Sequence, residues 1–272
     1  MTNLRAFPWY GGKNSHLKFL LPLLPTDAYS YVEPFGGSAA VLLNRPPAKL
    51  ETLNDLNQEI VNFFRVLRER PDELIDLLRL TPHSRAEYEQ SKQPYCGSDV
   101  LERARLFYVS VQQSFGSKRD GGWKATNGSR NHNMPATLVN SSNELLRLVD
   151  RLMAVQLECR PATDVIKRYD GSDVLMYVDP PYVPDSRRAI NVYDYEMSRR
   201  DHVELAELLN QCEARICLSG YRCDLYDDLY NGWTTRDWTT NARTPGDRST
   251  RKETVWMNYE PPQQDLFEAT TR

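Results

Sequence analysis

Along residues 1–59 and again along 153–260, short apolar runs alternate with glycine-bearing turns and amphipathic stretches. Tyr31–Glu33, Glu51–Asp55, Val155–Cys159, Val174–Val178, Arg215–Ser219, Trp233–Trp238 and Glu253–Tyr259 are too short for helices. Each is rich in β-branched or aromatic residues or alternates in polarity, so the pattern predicts seven strands. Helical spacing predicts helices over Ser15–Leu24 (ended by Pro22), Ala40–Asn44, Leu56–Arg70, from about Asp164 to Tyr169, and after Ser198 and Asp201. Asp55 reads as an N-cap for the third of these or as an acid free for a ligand. Strands that alternate with helices predict an α/β sheet of the nucleotide-binding kind.

Residues 60–152 have a different pattern. Ile60, Phe63, Phe64 and Leu67, then Leu74, Leu77 and Leu78, then Leu101, Ala104, Phe107, Tyr108 and Val111 recur at helical spacing. Ser141-x-x-Glu144 predicts a capping box that opens a last helix carrying Leu145, Leu148, Val149 and Leu152. This block reads as an inserted helical subdomain. It carries the polar, glycine-rich stretch Gln112–Pro135, too long for a plain connection in a compact domain. No internal repeat is evident, and 261–272 reads as a tail detached by Pro261 and Pro262.

One stretch organises the chemistry. The apolar run Val174–Val178 leads into Asp179-Pro180-Pro181-Tyr182. Neither proline can donate a backbone hydrogen bond, so a stiff loop follows the strand at its carboxyl end, where open α/β sheets hold ligands. The loop offers a carboxylate, two carbonyls and an aromatic ring. That set suits a flat ligand with an exposed amino group.

The 272-residue chain has ordinary composition, 40% hydrophobic and 26% charged. No apolar run approaches the ~20 residues of a membrane span. The start lacks the apolar core of a signal peptide, and five cysteines without C-x-x-C suit a reducing compartment. Four scattered histidines give no metal-site spacing. A cytoplasmic protein without a resident metal is expected. Net charge is −3, weakly unfavourable for a nucleic-acid partner. Its distribution changes that picture. Lys118, Arg119, Lys124 and Arg130 face one acid between Ser117 and Asn133, within the stretch Gln112–Pro135 that also holds Phe115 and Trp123. Arg236, Arg243, Arg248, Arg251 and Lys252 face two acids, and Arg187 and Arg188 lie in the polar stretch after Tyr182. Basic loops with embedded aromatics point to nucleic acid.

Read jointly, Trp9-x-Gly-Gly-Lys13, Glu33-Pro-Phe-Gly-Gly, Asp55 and Asp179-Pro-Pro-Tyr182, in this order and spacing, resemble the Dam-type (alpha-group) DNA adenine N6-methyltransferases. The resemblance covers about residues 5–60 and 155–260. It implies a Rossmann-like S-adenosylmethionine-dependent methyltransferase sheet over 1–59 and 153–260, with 60–152 as an inserted target-recognition subdomain. It implies cofactor contacts from Trp9, Tyr10, Gly12, Lys13, Glu33, Pro34, Phe35, Gly36, Asp55, Asp164 and Asp179, and catalysis by Asp179, Pro180, Pro181 and Tyr182. Double-stranded DNA would meet Lys118, Arg119, Trp123, Lys124, Arg130, Arg187, Arg188, Arg248, Arg251 and Lys252. Gln113–Lys118 departs from the branch that methylates GATC, so no target sequence carries over. The alternatives are an RNA adenine methyltransferase and a catalytically silent nucleic-acid-binding module. The tail, with Gln263, Leu266 and Phe267, resembles the peptide by which bacterial replication and repair proteins bind the sliding clamp. A monomer is expected, with a dimer as the alternative.

Overall fold

The computed structural model describes residues 3–117, 121–125, 133–183, 195–241 and 250–262. Seven strands are present: β1 (Ser30–Glu33), β2 (Leu50–Asn54), β3 (Val155–Glu158), β4 (Val174–Val178), β5 (Arg215–Tyr221), β6 (Thr234–Asn241) and β7 (Thr250–Met257). They form one sheet in the order β3-β2-β1-β4-β5-β7-β6. β1, β4 and β5 are parallel, with Val32 opposite Met176 and Val178 opposite Leu218. β7 enters antiparallel between β5 and β6, with Gly220 opposite Thr254 and Asp237 opposite Thr254 on its other side. This is the Rossmann-like α/β sheet that the alternating pattern predicts. Among the described residues no helix is long and apolar enough to cross a membrane.

The chain divides into two compact units. The first comprises Met1–Ser15, Gly36–Asn44 and Thr52–Pro161. Its core is aromatic: Phe7 meets Phe63 and Phe107 edge-on at 5.3 and 5.1 Å, and Tyr108 stacks on Phe63 at 5.5 Å. Ile60, Phe63, Phe64 and Leu67 are buried along one face of the helix Gln58–Glu69. Burial of each such side chain contributes about 1.5–3 kcal/mol. Asn57, not Asp55, caps this helix, accepting from the Glu59 amide at 2.9 Å. The predicted box at Ser141 and Glu144 is not formed. Both residues belong to the helix Met134–Glu144, capped instead by Asn133, with Pro135 in its first turn. A new helix, Leu146–Met153, follows the break at Leu145.

The second unit comprises His16–Phe35, Arg45–Glu51 and Ala162–Arg272. The predicted helix over Ser15–Leu24 is two short pieces here, Leu17–Leu20 and the 3-10 turn Leu21–Leu23. Pro22 cannot continue the α-helical bonding. Val32, Met176, Val178, Ile216 and Leu218 form the buried middle of the sheet, and Val165, Ile166, Leu205, Leu209 and Tyr226 cover it. Continuous apolar strands are what a parallel sheet covered on both faces requires. The helix Arg199–Leu209 opens with a complete Ser198–Asp201 capping box, as the sequence predicts.

Candidate active site

The residues singled out in the sequence fall into two groups, one in each unit. In the first unit the backbone makes a tight turn after Phe35. The Ala39 amide donates to the Gly36 carbonyl at 2.8 Å, and Gly37 has a left-handed φ of 50°. Ala39 shares that region at φ 54°, a strained conformation for a residue with a Cβ. Gly36 donates to the Asn54 carbonyl at 2.7 Å. A Cβ on Gly36 would lie 2.5 Å from Leu53 Cδ1, so only glycine fits.

Asp55 follows β2. Its Oδ2 accepts from the Gly37 amide and its Oδ1 from the Asn57 amide, both at 2.8 Å. It therefore ties the glycine turn to the end of β2. A carboxylate oxygen has more than one acceptor site, so a ligand hydroxyl is still compatible. Trp9 packs against Phe7 and Phe107, and Gly12 donates back to the Trp9 carbonyl at 3.1 Å. Lys13 is 3% exposed and donates from Nζ to the Gly11 carbonyl at 2.8 Å, which bends the Trp9–Lys13 segment into a closed turn.

Ser38, in the glycine turn, is 2% exposed and its hydroxyl has no hydrogen-bond partner among the described residues. A Cβ on Gly12 would sit 3.4 Å from that hydroxyl, and one on Gly37 would press on the Trp9 ring. Buried polar groups are normally satisfied. A buried hydroxyl with no partner among the described residues, beside two side-chain-free positions and an indole, offers polar and apolar surface together.

In the second unit, β1 and β4 end in the same four-residue pattern. Tyr31-Val32-Glu33-Pro34 closes one, and Tyr177-Val178-Asp179-Pro180 closes the other. In each, the tyrosine serves the acid two residues on. Tyr31 donates to Glu33 Oε1 at 2.8 Å. Ser219 of β5 donates to Asp179 Oδ1 at 2.7 Å, and Tyr177 lies 3.0 Å from the Ser219 oxygen. The single serine proton goes to the carboxylate, so Tyr177 is the donor to Ser219. Burial and then the charge of Glu33 push the Tyr31 phenol well above its ordinary range. Burial and then Asp179 do the same for Tyr177. Both phenols stay protonated and act as donors.

Tyr182 is 5% exposed. Its hydroxyl donates to Glu253 Oε2 of β7 at 2.8 Å, and its ring meets Tyr221 edge-on at 4.6 Å. Phe35 packs against the apolar core of this unit. Asp164 is exposed at the third position of the helix Ala162–Tyr169. Sequence reasoning missed Tyr31, Tyr177, Ser219 and Glu253. The repeated Tyr-Val-acid-Pro pattern is the signal by which the two tyrosines stand out; Ser219 and Glu253 have none.

The basic residues are only partly described. Lys118, Arg119, Arg130, Arg187, Arg188 and Arg248, the side chain of Arg251, and the tail residues Gln263, Leu266 and Phe267 lie outside the described residues. Trp123 belongs to a bridge that pairs it with Ser114. Its Nε1 donates to Gln113 at 3.2 Å, His83 stacks on it at 5.3 Å, and the Arg85 guanidinium lies 4.8 Å over its ring. Trp123, expected to meet DNA, has these contacts within its own unit. Lys124 lines a cavity of about 370 Å³ with Arg5, Arg147, Gln112 and Ser141. Lys252 pairs with Asp237 at 2.6 Å, and Arg222 reaches the same oxygen at 3.3 Å. Partial burial acts to raise the pKa of Asp237. Hydrogen bonds from Lys252 and Thr254, with the Lys252 and Arg222 charges, outweigh it and hold the carboxyl below its usual range.

Comparison with known proteins bears on this arrangement. The sequence matches the family described as D12 class N6 adenine-specific DNA methyltransferase over residues 9–242. It is 27% identical to the type II methyltransferase M1.LlaDCHI of Lactococcus lactis subsp. cremoris, covering 94% of this chain and 96% of the relative. It is 28% identical to a DNA adenine methylase of Vibrio cholerae over 70% of this chain and 69% of that protein. It is 22% identical to the type II methyltransferase M.CviBI of Paramecium bursaria Chlorella virus NC1A, covering 86% and 89% of the two chains.

Proposed function

The chain belongs to the D12 class N6 adenine-specific DNA methyltransferases, and on that premise we propose that Asp179, Pro180 and Tyr182 carry the transfer to adenine in DNA. Bound S-adenosylmethionine supplies a methyl group on a positively charged sulfur, already an excellent leaving group. The protein's task lies with the acceptor. The lone pair of the adenine amino nitrogen is delocalised into its ring. Asp179 and the Pro180 carbonyl accept from its two N–H groups, which favours a pyramidal nitrogen and frees the lone pair for attack. Asp179 is also the acceptor best suited to take the proton released as the N–C bond forms. Positioning and oriented acceptors supply the rate gain.

An adenine inside a duplex cannot reach such a loop, so it is flipped out at a cost of a few kcal/mol. Stacking on Tyr182 returns about 1–3 kcal/mol, and phosphate contacts from the basic stretches supply the rest. Trp9, Tyr10, Gly12, Lys13, Glu33, Pro34, Phe35, Gly36, Asp55 and Asp164 are assigned to the cofactor. The buried Ser38 hydroxyl beside Gly12 supports this cradle. Residues 60–152 are assigned to target recognition.

The observation that carries the reading is the hydrogen-bonded Asp179 at the end of β4. Labelled methyl transfer to duplex DNA, single-stranded DNA and RNA tests it, with Asp179→Ala as control. Transfer to DNA with at least ~100-fold loss in the variant is expected. Methylation of RNA alone, or full activity of Asp179→Ala, would refute it. Gln263, Leu266 and Phe267 are further assigned to a bacterial sliding clamp, in the cytoplasm of a bacterium or a phage-infected host. The double variant Leu266→Ala, Phe267→Ala is expected to lose clamp pulldown while methylating short DNA. Pulldown that survives both substitutions discards the assignment.

A further inference from the structure

We propose that Ser219 and Glu253 are positioning residues for the transfer, a two-point clamp that the antiparallel β5–β7 pair applies to the two ends of the Asp179–Tyr182 loop. The inference rests on that loop being the amino-group site. Its starting point is a gap in the backbone's own means of support. Pro180 and Pro181 fix their φ angles but donate nothing, so the middle of the loop cannot be tied to the sheet through its amides. Hydrogen-bonding side chains at its ends can supply that placement.

Both ends have one. Ser219 Oγ donates to Asp179 Oδ1 at 2.7 Å, and Ser219 is itself held by the buried Tyr177 hydroxyl at 3.0 Å. Glu253 Oε2 accepts from the Tyr182 hydroxyl at 2.8 Å. The two supports come from adjacent strands in fixed register. Ser219 lies opposite Val255 and Tyr221 opposite Glu253. Ser219 and Tyr221, two apart, lie on the same side of β5, and Tyr221 meets the Tyr182 ring edge-on at 4.6 Å. Ser219 is fully buried, and Glu253 and Tyr182 are each 5% exposed. A hydrogen bond at Oδ1 fixes the plane of the Asp179 carboxylate, and so the direction in which it meets an amino group. The bond at the Tyr182 hydroxyl fixes the plane of the ring against which a base would lie. Neither Ser219 nor Glu253 is assigned a contact with base or cofactor. They act through Asp179 and Tyr182.

The full-length chain tests this, acting on plasmid DNA that carries no adenine methylation. Ser219→Ala and Glu253→Ala each remove one support. Ser219→Thr keeps the hydroxyl, and Glu253→Gln keeps a carbonyl acceptor. Both alanine variants are expected to lose about 10–100-fold in kcat. KM for DNA and S-adenosylmethionine affinity by calorimetry stay within about threefold of wild type, as uniform binding is untouched. The threonine and glutamine variants are expected to recover most of the loss. Tyr182→Phe added to Glu253→Ala is expected to cost little more, because both break the same bond.

Wild-type kcat in both alanine variants would overturn the clamp. So would a loss that merely follows a lowered melting temperature and is not restored by threonine and glutamine. Asp179→Ala separates the two levels: if it is inactive while the alanine variants run at full rate, only the clamp fails. If Asp179→Ala is itself active, the loop assignment fails.

Discussion

Replacing Gly37 by alanine tests the glycine turn assigned to the cofactor, with a single carbon atom. Gly37 has a φ of 50°, and an L-residue held in the left-handed region costs about 1–2 kcal/mol. The new Cβ would sit 3.0 Å from Trp9 Cδ1 and 3.1 Å from Trp9 Nε1. Carbon atoms rest at about 3.5–4.0 Å, so the indole must yield by roughly half an ångström. It has little room to do so, since Phe7 and Phe107 pack against it with ring centres 5.8 and 6.2 Å away. Overpacking of this kind costs about 1–3 kcal/mol, giving a total of about 2–5 kcal/mol. At about 2–4 °C per kcal/mol for a chain near this size, the melting temperature falls by about 4–20 °C. Alanine keeps the backbone N–H that donates to Asp55, so any loss of S-adenosylmethionine affinity reports the displaced Trp9. Gly116→Ala is the internal control. It has the same handedness, φ 72°, but a Cβ there would meet nothing within 4 Å among the described residues. It is expected to show the strain cost alone and unchanged cofactor binding. Thermal melts and titration calorimetry on both variants decide the matter. A Gly37→Ala protein that melts within 2 °C of wild type and binds cofactor normally would refute the reasoning.

Two further outcomes follow from charges in the second unit. Arg45 and Glu51 are 4% and 2% exposed and pair at 3.4 Å, with the guanidinium 4.1 Å over the Tyr31 ring. Glu51→Ala strands a buried cation, so urea unfolding is expected to show a loss of about 3–5 kcal/mol; a loss below 1 kcal/mol would show that the pair is not structural. Asp237→Asn releases Lys252 and weakens the hold on Arg222. DNA affinity at low salt is expected to rise several-fold, with a salt dependence steeper by about one unit of slope; unchanged affinity would remove Lys252 from the DNA-contacting set.

Much of the Asp179–Tyr182 loop was readable because its chemistry is local. Val174–Val178 followed by two prolines allows few structures, and the glycines at 36 and 37 mark a turn that side chains would block. The seven strands were legible for the same reason: each is apolar or alternating over its own length. Ser219 and Glu253 were not legible, because their significance lies in strand register. A serine in a strand and an acid after a lysine carry no signal until β5 and β7 are paired. The Ser141–Glu144 pattern failed differently. It has the residues of a capping box, but Asn133 with Pro135 starts the helix earlier, and a cap motif inside a continuing helix has no free amides to satisfy. The partners of Trp123 were not legible either, because Gln113, His83 and Arg85 come from separate stretches of chain.

The antiparallel entry of β7 also sets a timetable. The partner of Asp179 is made 40 residues after it, and the partner of Tyr182 71 residues after it. At about 5–20 residues per second, a ribosome delivers Glu253 on the order of 4–14 s after Tyr182. Until then a nascent chain carries the glycine turn, β1 and β4 but lacks the strand that holds its aromatic floor. The same order makes truncation informative: a product ending between Tyr182 and Ser219 has the whole signature loop in its sequence and lacks both the Ser219 and the Glu253 bond, whereas one ending between Ser219 and Glu253 lacks the Glu253 bond alone.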